Sequence, residues 1–545
     1  MFGFVKKFLL VSFSPVLVFG LIETTPSAQQ PAFSVVEATI ADMQSAMQQG
    51  RITSRGIVQQ YLDRIAKYED RLNAIITLNA RALQEADERD RERARGKVRG
   101  PLHGIPIALK DNIHTTDMPT TGGALVFEGF VPRYEATITK HVRDSGAIIL
   151  AKTNMTELAN WVASGMPGNY NALVGYGLNP YDPRRDPRPG LQDGRPALTP
   201  GGSSSGAGTS ANFWAANVGT ETSGSILTPA NMTMLVAIKP TVGRVSRYGI
   251  IPITADQDTA GPLARTVADA AVLLGVLEGR AADPHDPATK ACPRVADYTR
   301  FLSARGLVGA RIGVPRAAFY DEKRHGAVMA AAIAVMKQQG ATIVDPAEVP
   351  NQPMPPVCNG TANAKGHDEA CSSVFKYGMK RDFNAWLASL GPSSPVKTLT
   401  ELRQWNLAHQ ATGSIKYGQA QLDISDEMDL QSDRARYAAD RERDVRLAGP
   451  DGIDAVMKRE RLDGLLFAGP TGAALAARPG YPTVIVPFGS APNAPTPAFP
   501  DGFDAKPAPL GVSFTGMACS EPRLIELAYA FEQATKRRIP PPGFQ

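Results

Sequence analysis

The chain of 545 residues carries 58 basic and 53 acidic side chains, a formal net charge of +5, and its Lys and Arg residues are scattered rather than gathered into a stripe. That pattern gives no electrostatic footprint for a nucleic-acid partner. The length admits a large core and two or three units of roughly 100–200 residues each, and no internal repeat divides it into an array.

At the N-terminus Lys6 and Lys7 precede an apolar run over residues 8–22, broken by Ser12, Ser14 and Pro15, and small and polar residues follow over 24–29. Charged, apolar and small-residue regions in that order mark a secretory signal. The run is shorter than the ~20 residues a membrane span needs. The expectation is therefore a signal peptide over residues 1–28, one domain over 29–545, and a mature protein that is periplasmic or secreted with no stable membrane association. An uncleaved anchor is the alternative.

Beyond it, apolar residues recur at helical spacing over 35–49 and 57–67, with Thr53 or Ser54 placed to cap the second helix. Residues 87–95 alternate in sign within a helical stretch and read as a solvated face. Residues 105–109 form a short apolar run with Pro106 at its start, which predicts a buried strand ending at Lys110. A helix over 136–144 and a strand over 147–151 complete a β–α–β unit. Thr266 and Asp269 have the spacing of a capping box before a helix over 267–277. A strand over 312–314, a helix over 327–337 and a strand over 342–344 follow, then strands over 465–467 and 483–486. The last helix sets Leu524, Leu527, Ala528 and Phe531 on one stripe. With no linker visible, the fold class is α/β, a single large domain.

Export bears on the four cysteines. Cys358 and Cys371 flank a short loop-forming stretch and are a candidate disulfide in an oxidising compartment, whereas Cys292 and Cys519 are expected to be buried or unpaired. His367 lies between the first two, but three soft ligands without a second cluster do not make a zinc site, so no metal is expected.

Two serine- and glycine-rich blocks stand close together, Gly201-Gly202-Ser203-Ser204-Ser205-Gly206 and Gly219-Thr220-Glu221-Thr222-Ser223-Gly224-Ser225-Ile226, behind the lysine of Ile107-Ala108-Leu109-Lys110-Asp111-Asn112. Upstream lies Leu102-His103-Gly104-Ile105-Pro106, and downstream lie Pro229-Ala230 and Lys239-Pro240-Thr241. In this order the elements resemble the amidase signature family, over about residues 35–540. The resemblance implies a central mixed β-sheet flanked by helices, and hydrolysis of carboxamides with ammonia release through a Ser–Ser–Lys triad and an acyl-enzyme, with no cofactor. It assigns Ser225 as nucleophile, Ser203 as bridging serine and Lys110 as base, places the oxyanion hole at the N–H groups of Thr222, Ser223, Gly224 and Ser225, and gives Ser204 a supporting role. The bland reading of Ser204 and Ser205 is that of turn residues satisfying local backbone.

Such chemistry requires Lys110 to be neutral, and burial at the end of an apolar strand favours that state. Asp111 would oppose it from the same pocket, but alternation along a strand points it to the other face. Ser203 and Ser225 are 22 residues apart, closer than in the resembled family, which implies a shortened or re-registered connecting helix.

Within the family the likeness runs to bacterial peptide amidases, which release ammonia from C-terminal peptide carboxamides. It rests on Gly219-Thr220-Glu221-Thr222, on residues 256–262 and 447–454, and on residues 520–526. Two Pro-rich segments, residues 179–200 and 489–509, diverge; Arg184, Arg185, Arg188 and Arg195 in the first either shape the pocket mouth or are solvated.

Rival readings are weaker. Residues 202–206 also fit G-x-S-x-G, with Ser204 as nucleophile and His285, His325, His367 or His409 as partner, but no motif surrounds those histidines. Residues 394–397 match S-x-x-K without a K-T-G, and no G-K-[ST] follows the glycine-rich blocks to hold phosphate. An exported binding protein using the Ser/Gly nest and an A-type amidotransferase component remain as alternatives.

Overall fold

Ile105, Ile107, Ala108 and Leu109 leave no polar face, and the strand they help to form is buried on both sides. In the computed structural model, which describes residues 1–5, 7, 9, 10, 33–361 and 370–545, this strand lies inside an eleven-stranded sheet. Most of the expected signal peptide lies outside the described residues, as does His367. Residues 34–545 form one compact unit, and among the described residues no helix is long and apolar enough to cross a membrane.

Numbered along the chain, the strands of the large sheet are β1 (Ile75–Leu78), β2 (Pro106–Lys110), β3 (Ile148–Thr153), β4 (Ala216–Glu221), β5 (Val236–Lys239), β6 (Thr259–Ala264), β7 (Arg311–Gly313), β8 (Thr342–Val344), β9 (Gly464–Ala468), β10 (Thr483–Ala491) and β11 (Ala508–Thr515). Their spatial order is β1-β3-β2-β4-β6-β5-β10-β11-β9-β7-β8. The sheet is mixed: β2 is parallel to β3 and β4, β7 is parallel to β8 and β9, and the other neighbours are antiparallel. The helix Thr137–Asp144 joins β2 to β3, as its pattern predicts.

Several helix starts are set by side chains. Thr39 and Asp42 make a reciprocal capping box for Ile40–Gln48, and Thr53 caps Ser54–Tyr68 by accepting from Gly56 N. Thr266 accepts from Asp269 N, but the Asp269 carboxylate accepts from Ile40 N at 2.9 Å, so the expected box is half a box and a tie between two helices. The alternating charges on Ala82–Ala94 are not all solvated: Asp90 accepts from the Ser54 and Arg55 amides, and Arg89 is buried. The helix expected from residue 327 begins at Glu322, capped by Asp321.

Both cysteine pairs are joined, Cys358 to Cys371 and Cys292 to Cys519. The second pair corrects the expectation of buried or unpaired thiols. These partners are 227 residues apart, and the loop carrying Cys519 is brought to the other by Arg244, which bonds Cys519 O and Pro293 O as well as the buried Glu278 and Glu521.

Candidate active site

The parallel registers place the carboxyl ends of β2, β3 and β4 on one edge of the sheet, where open α/β sheets form their ligand crevices. β2 ends at Lys110. β4 ends at Glu221 and runs into loop 222–225, and the segment after β3 carries Thr156. Lys110 and Ser203 are fully buried, and their Nζ and Oγ atoms are 2.7 Å apart. Lys110 also donates to Thr220 Oγ1 at 2.9 Å and to Thr220 O at 3.3 Å. Complete burial pulls its pKa from 10.5 down to about 7, against the opposing charges of Asp258 and Glu221. Asp111 faces Lys152 at 3.3 Å on the other side, as strand alternation requires.

The loop holding Ser203 is fixed from three directions. Thr156 N donates to Ser203 O at 3.0 Å. Asn169 donates through its amide to the carbonyls of Gly202 at 3.0 Å and Ser204 at 3.2 Å. Ser204 stitches the two serine-rich blocks together: its N–H meets Ser225 O, its hydroxyl donates to Thr220 O at 3.0 Å, and the same oxygen accepts from Thr220 N at 3.1 Å. A hydroxyl so engaged is a brace rather than a nucleophile, which removes the G-x-S-x-G reading.

Loop 222–225 is shaped by its neighbours. Gly224 has φ +87°, a backbone that favours glycine. Glu221 accepts from Ile226 N at 2.7 Å and Leu227 N at 3.0 Å, holding the start of helix Leu227–Met232. Thr222 donates to Asp258 at 2.5 Å, and Gln257 donates to Thr222 O at 3.2 Å. Among the described residues the N–H groups of 222–225 have no hydrogen-bond acceptor, and the Ser225 hydroxyl makes no hydrogen bond. Ser225 is half-buried and Ser223 exposed. Between the serines the connecting helix is one turn, Ala207–Ser210, followed by β4.

Sequence reasoning missed Thr156, Asn169, Glu221 as a cap, and Asp258. The last two lie within the residue runs that carry the family likeness, and only the pairing of Glu221 with Thr259 across β4 and β6 shows that Asp258 reaches Thr222. Of the arginines in 179–200, Arg185 is exposed and donates to Gly194 O, whereas Arg184, Arg188 and Arg195 are partly exposed and pair at 2.6–2.7 Å with the aspartate two residues earlier in each case. Arg184 and Arg188 also lie over Phe503 and Phe499, so the two Pro-rich segments clasp each other. A cavity of about 310 Å3 adjoins the site, sharing Asn112, Thr220, Thr222 and Asp258 with it and walled by Tyr134, Tyr248, residues 250–253 and Trp386.

An amidase family model matches residues 56–525. This chain belongs to the amidase family. The amidase is 33% identical to a probable amidase of Arabidopsis thaliana over 99% of this chain and 98% of that relative. It superposes on the peptide amidase of Stenotrophomonas maltophilia with a TM-score of 0.81 and 38% identity, covering 93% of this chain and 98% of that one. It is also 31% identical to the A-type component of a glutamyl-tRNA(Gln) amidotransferase from Thermosynechococcus vestitus, over 88% of this chain and 94% of that relative. The fold is that of these neighbours, and the family makes the amidase a hydrolase acting on amides.

Proposed function

We propose that the amidase hydrolyses carboxamides, releasing ammonia, through a Ser225–Ser203–Lys110 relay. An amide is a poor electrophile with a poor leaving group, so the reaction needs an activated nucleophile, an oxyanion site and a proton for the departing nitrogen. The neutral Lys110 amine takes the Ser203 proton, Ser203 takes that of Ser225, and Ser225 Oγ bonds to the carbonyl carbon. The N–H groups of Thr222, Ser223, Gly224 and Ser225 hold the resulting oxyanion. The relay then runs backward to protonate nitrogen, the C–N bond breaks, and water repeats the sequence on the acyl-enzyme. The observation that carries this reading is the buried 2.7 Å contact between Lys110 and Ser203, at a lysine whose pKa burial brings to about 7.

As substrates we propose C-terminal peptide amides or aryl and acyl carboxamides, supported by 38% identity to a peptide amidase and by the apolar cavity beside the loop. Ammonia release across a panel of such amides tests the assignment, with loss of several powers of ten in rate expected for Lys110→Ala. Full activity of that variant at neutral pH would remove the relay. The likeness to an amidotransferase component favours a second reading, in which the chain feeds ammonia to a partner. Rapid turnover of simple amides by the isolated chain contradicts that reading, and bound amides without turnover would indicate a binding protein.

A further inference from the structure

Asp258 is half-buried and directs its two carboxylate oxygens to two different loops: one accepts from the Thr222 hydroxyl at 2.5 Å, the other from Ile253 N at 2.9 Å. It lies immediately before β6, whose first residue, Thr259, pairs with Glu221, so its side chain meets the first residue of loop 222–225. The same cavity wall carries Asn112 and Thr220, and both Lys110 and Asn112 donate to Thr220 Oγ1. The carboxylate thus holds the first residue of the oxyanion loop and shares a cavity wall with Thr220, to which the base is bonded; the cavity is also lined by Ile250, Ile251, Ile253, Trp386, Arg247, His285 and Asp286. In such surroundings charges act strongly on one another.

We propose that Asp258 is a positioning residue with two separable actions: its hydrogen bond from Thr222 holds the oxyanion loop, and its charge sets the protonation of Lys110. The inference rests on the relay proposed above. The charged groups around the pair are Glu221 on the Lys110 side, and Arg247, itself paired with Asp286 at 2.6 Å, and Asp382 on the Asp258 side. Of the carboxylates acting on Lys110, Asp258 has the largest influence, favouring the ammonium form. Burial in turn pushes the Asp258 carboxyl up to about 7, so the two groups titrate over one range as a coupled pair.

Two variants separate the actions. Asp258→Asn keeps the hydrogen bonds, because the Thr222 hydroxyl can accept from the new amide while its carbonyl accepts from Ile253 N, but it removes the charge. Thr222→Val keeps the carboxyl group and removes the clamp. For each, kcat/KM and the rate of fluorophosphonate labelling of Ser225 are measured against pH, with circular dichroism as a check on folding. Asp258→Asn should move the acid limb of both profiles toward lower pH by about one unit, the lower end of the range for a close opposite charge. Thr222→Val should lower the plateau about tenfold or more, the scale of a misplaced oxyanion donor, and move the limb by less in the same direction, because loss of the hydrogen bond favours the protonated Asp258 carboxyl.

A folded Asp258→Asn whose limb overlays the wild type overturns the electrostatic action, and a wild-type plateau in Thr222→Val overturns the clamp. Should Asp258→Asn fail to fold, a limb in Thr222→Val that stays in place or moves toward higher pH would overturn the electrostatic action on its own. Absence of any label on wild-type Ser225 overturns the relay itself, an outcome distinct from a labelled Ser225 with unmoved profiles, which sinks only this inference.

Discussion

Gly202 is the most direct steric probe of the site. It has no positive-φ constraint, yet a methyl group built on it would lie 2.9 Å from Pro229 Cδ, 3.0 Å from Ser225 Cα and 3.1 Å from Gly224 O. Since carbon atoms rest at about 3.5–4.0 Å, Gly202→Ala must push the Ser225 backbone away by about half an ångström or more. Overpacking of this kind destabilises by about 1–3 kcal/mol. A displacement approaching 1 Å at a reacting group lowers turnover by about 100-fold, so a loss of about 10- to 100-fold in kcat is expected. Gly100→Ala serves as the control, because its nearest neighbour, Ser145 O, stands at an ordinary 3.5 Å. Both proteins are compared by ammonia release and by thermal denaturation. A Gly202→Ala enzyme that loses stability but keeps wild-type kcat would refute the reasoning, since it would show that the reaction tolerates movement of the Ser225 backbone.

Other consequences are as readily measured. Activity should rise through pH 7 toward a plateau, because Lys110 acts as a neutral amine and titrates at about 7; a flat profile between pH 5.5 and 8.5 contradicts this. Between that value and its unfolded pKa of about 10.4, the unfolded chain binds a proton that the folded chain does not, so this group's share of stability increases with pH. The melting temperature of inactive Lys110→Met relative to wild type should therefore fall as pH rises from 6 to 9, and a constant difference would count against a buried neutral lysine. Reducing the Cys292–Cys519 link, which spans 227 residues, should destabilise by about 5 kcal/mol on the chain-entropy model, against about 3 kcal/mol for Cys358–Cys371 with its span of 13. Single-cysteine variants in denaturant titrations test that order. Asp182→Ala with Asp186→Ala should release Arg184 and Arg188 and make residues 489–509 sensitive to limited proteolysis, while an unchanged cleavage pattern would show that the clasp does not hold them.

What could be read from the sequence divides along physical lines. The β2–helix–β3 unit was legible because residues 105–109 and 148–151 are continuous apolar runs and the helix between them is amphipathic. Strands β4 and β6 were not, being rich in Gly, Ala and Thr, and Pro262 within β6 argues against a central strand. The structure accommodates that proline because β5 pairs with β6 only at Leu263 and Ala264. Gly261 is required there for a different reason: a side chain would meet Ile238 O at 2.1 Å. Lys110, Ser203 and Ser225 stand in motifs, but their supports were hidden, since Asn169, Thr156 and Asp258 reach the site through pairings between distant segments. The pairing of the arginines in residues 179–200 does have a local signal, an aspartate two residues before three of them. The Cys292–Cys519 partnership has no local signal at all.

Mapping the covalent adduct formed with a fluorophosphonate is the measurement closest to the central claim. Intact mass should show one adduct per chain, peptide mapping should place it on Ser225, and a folded Lys110→Ala should acquire it at least several hundred times more slowly, in keeping with the range of about 100- to 10,000-fold attributed to a positioned general base. An adduct on Ser203 or Ser204, or undiminished labelling without Lys110, would contradict the account.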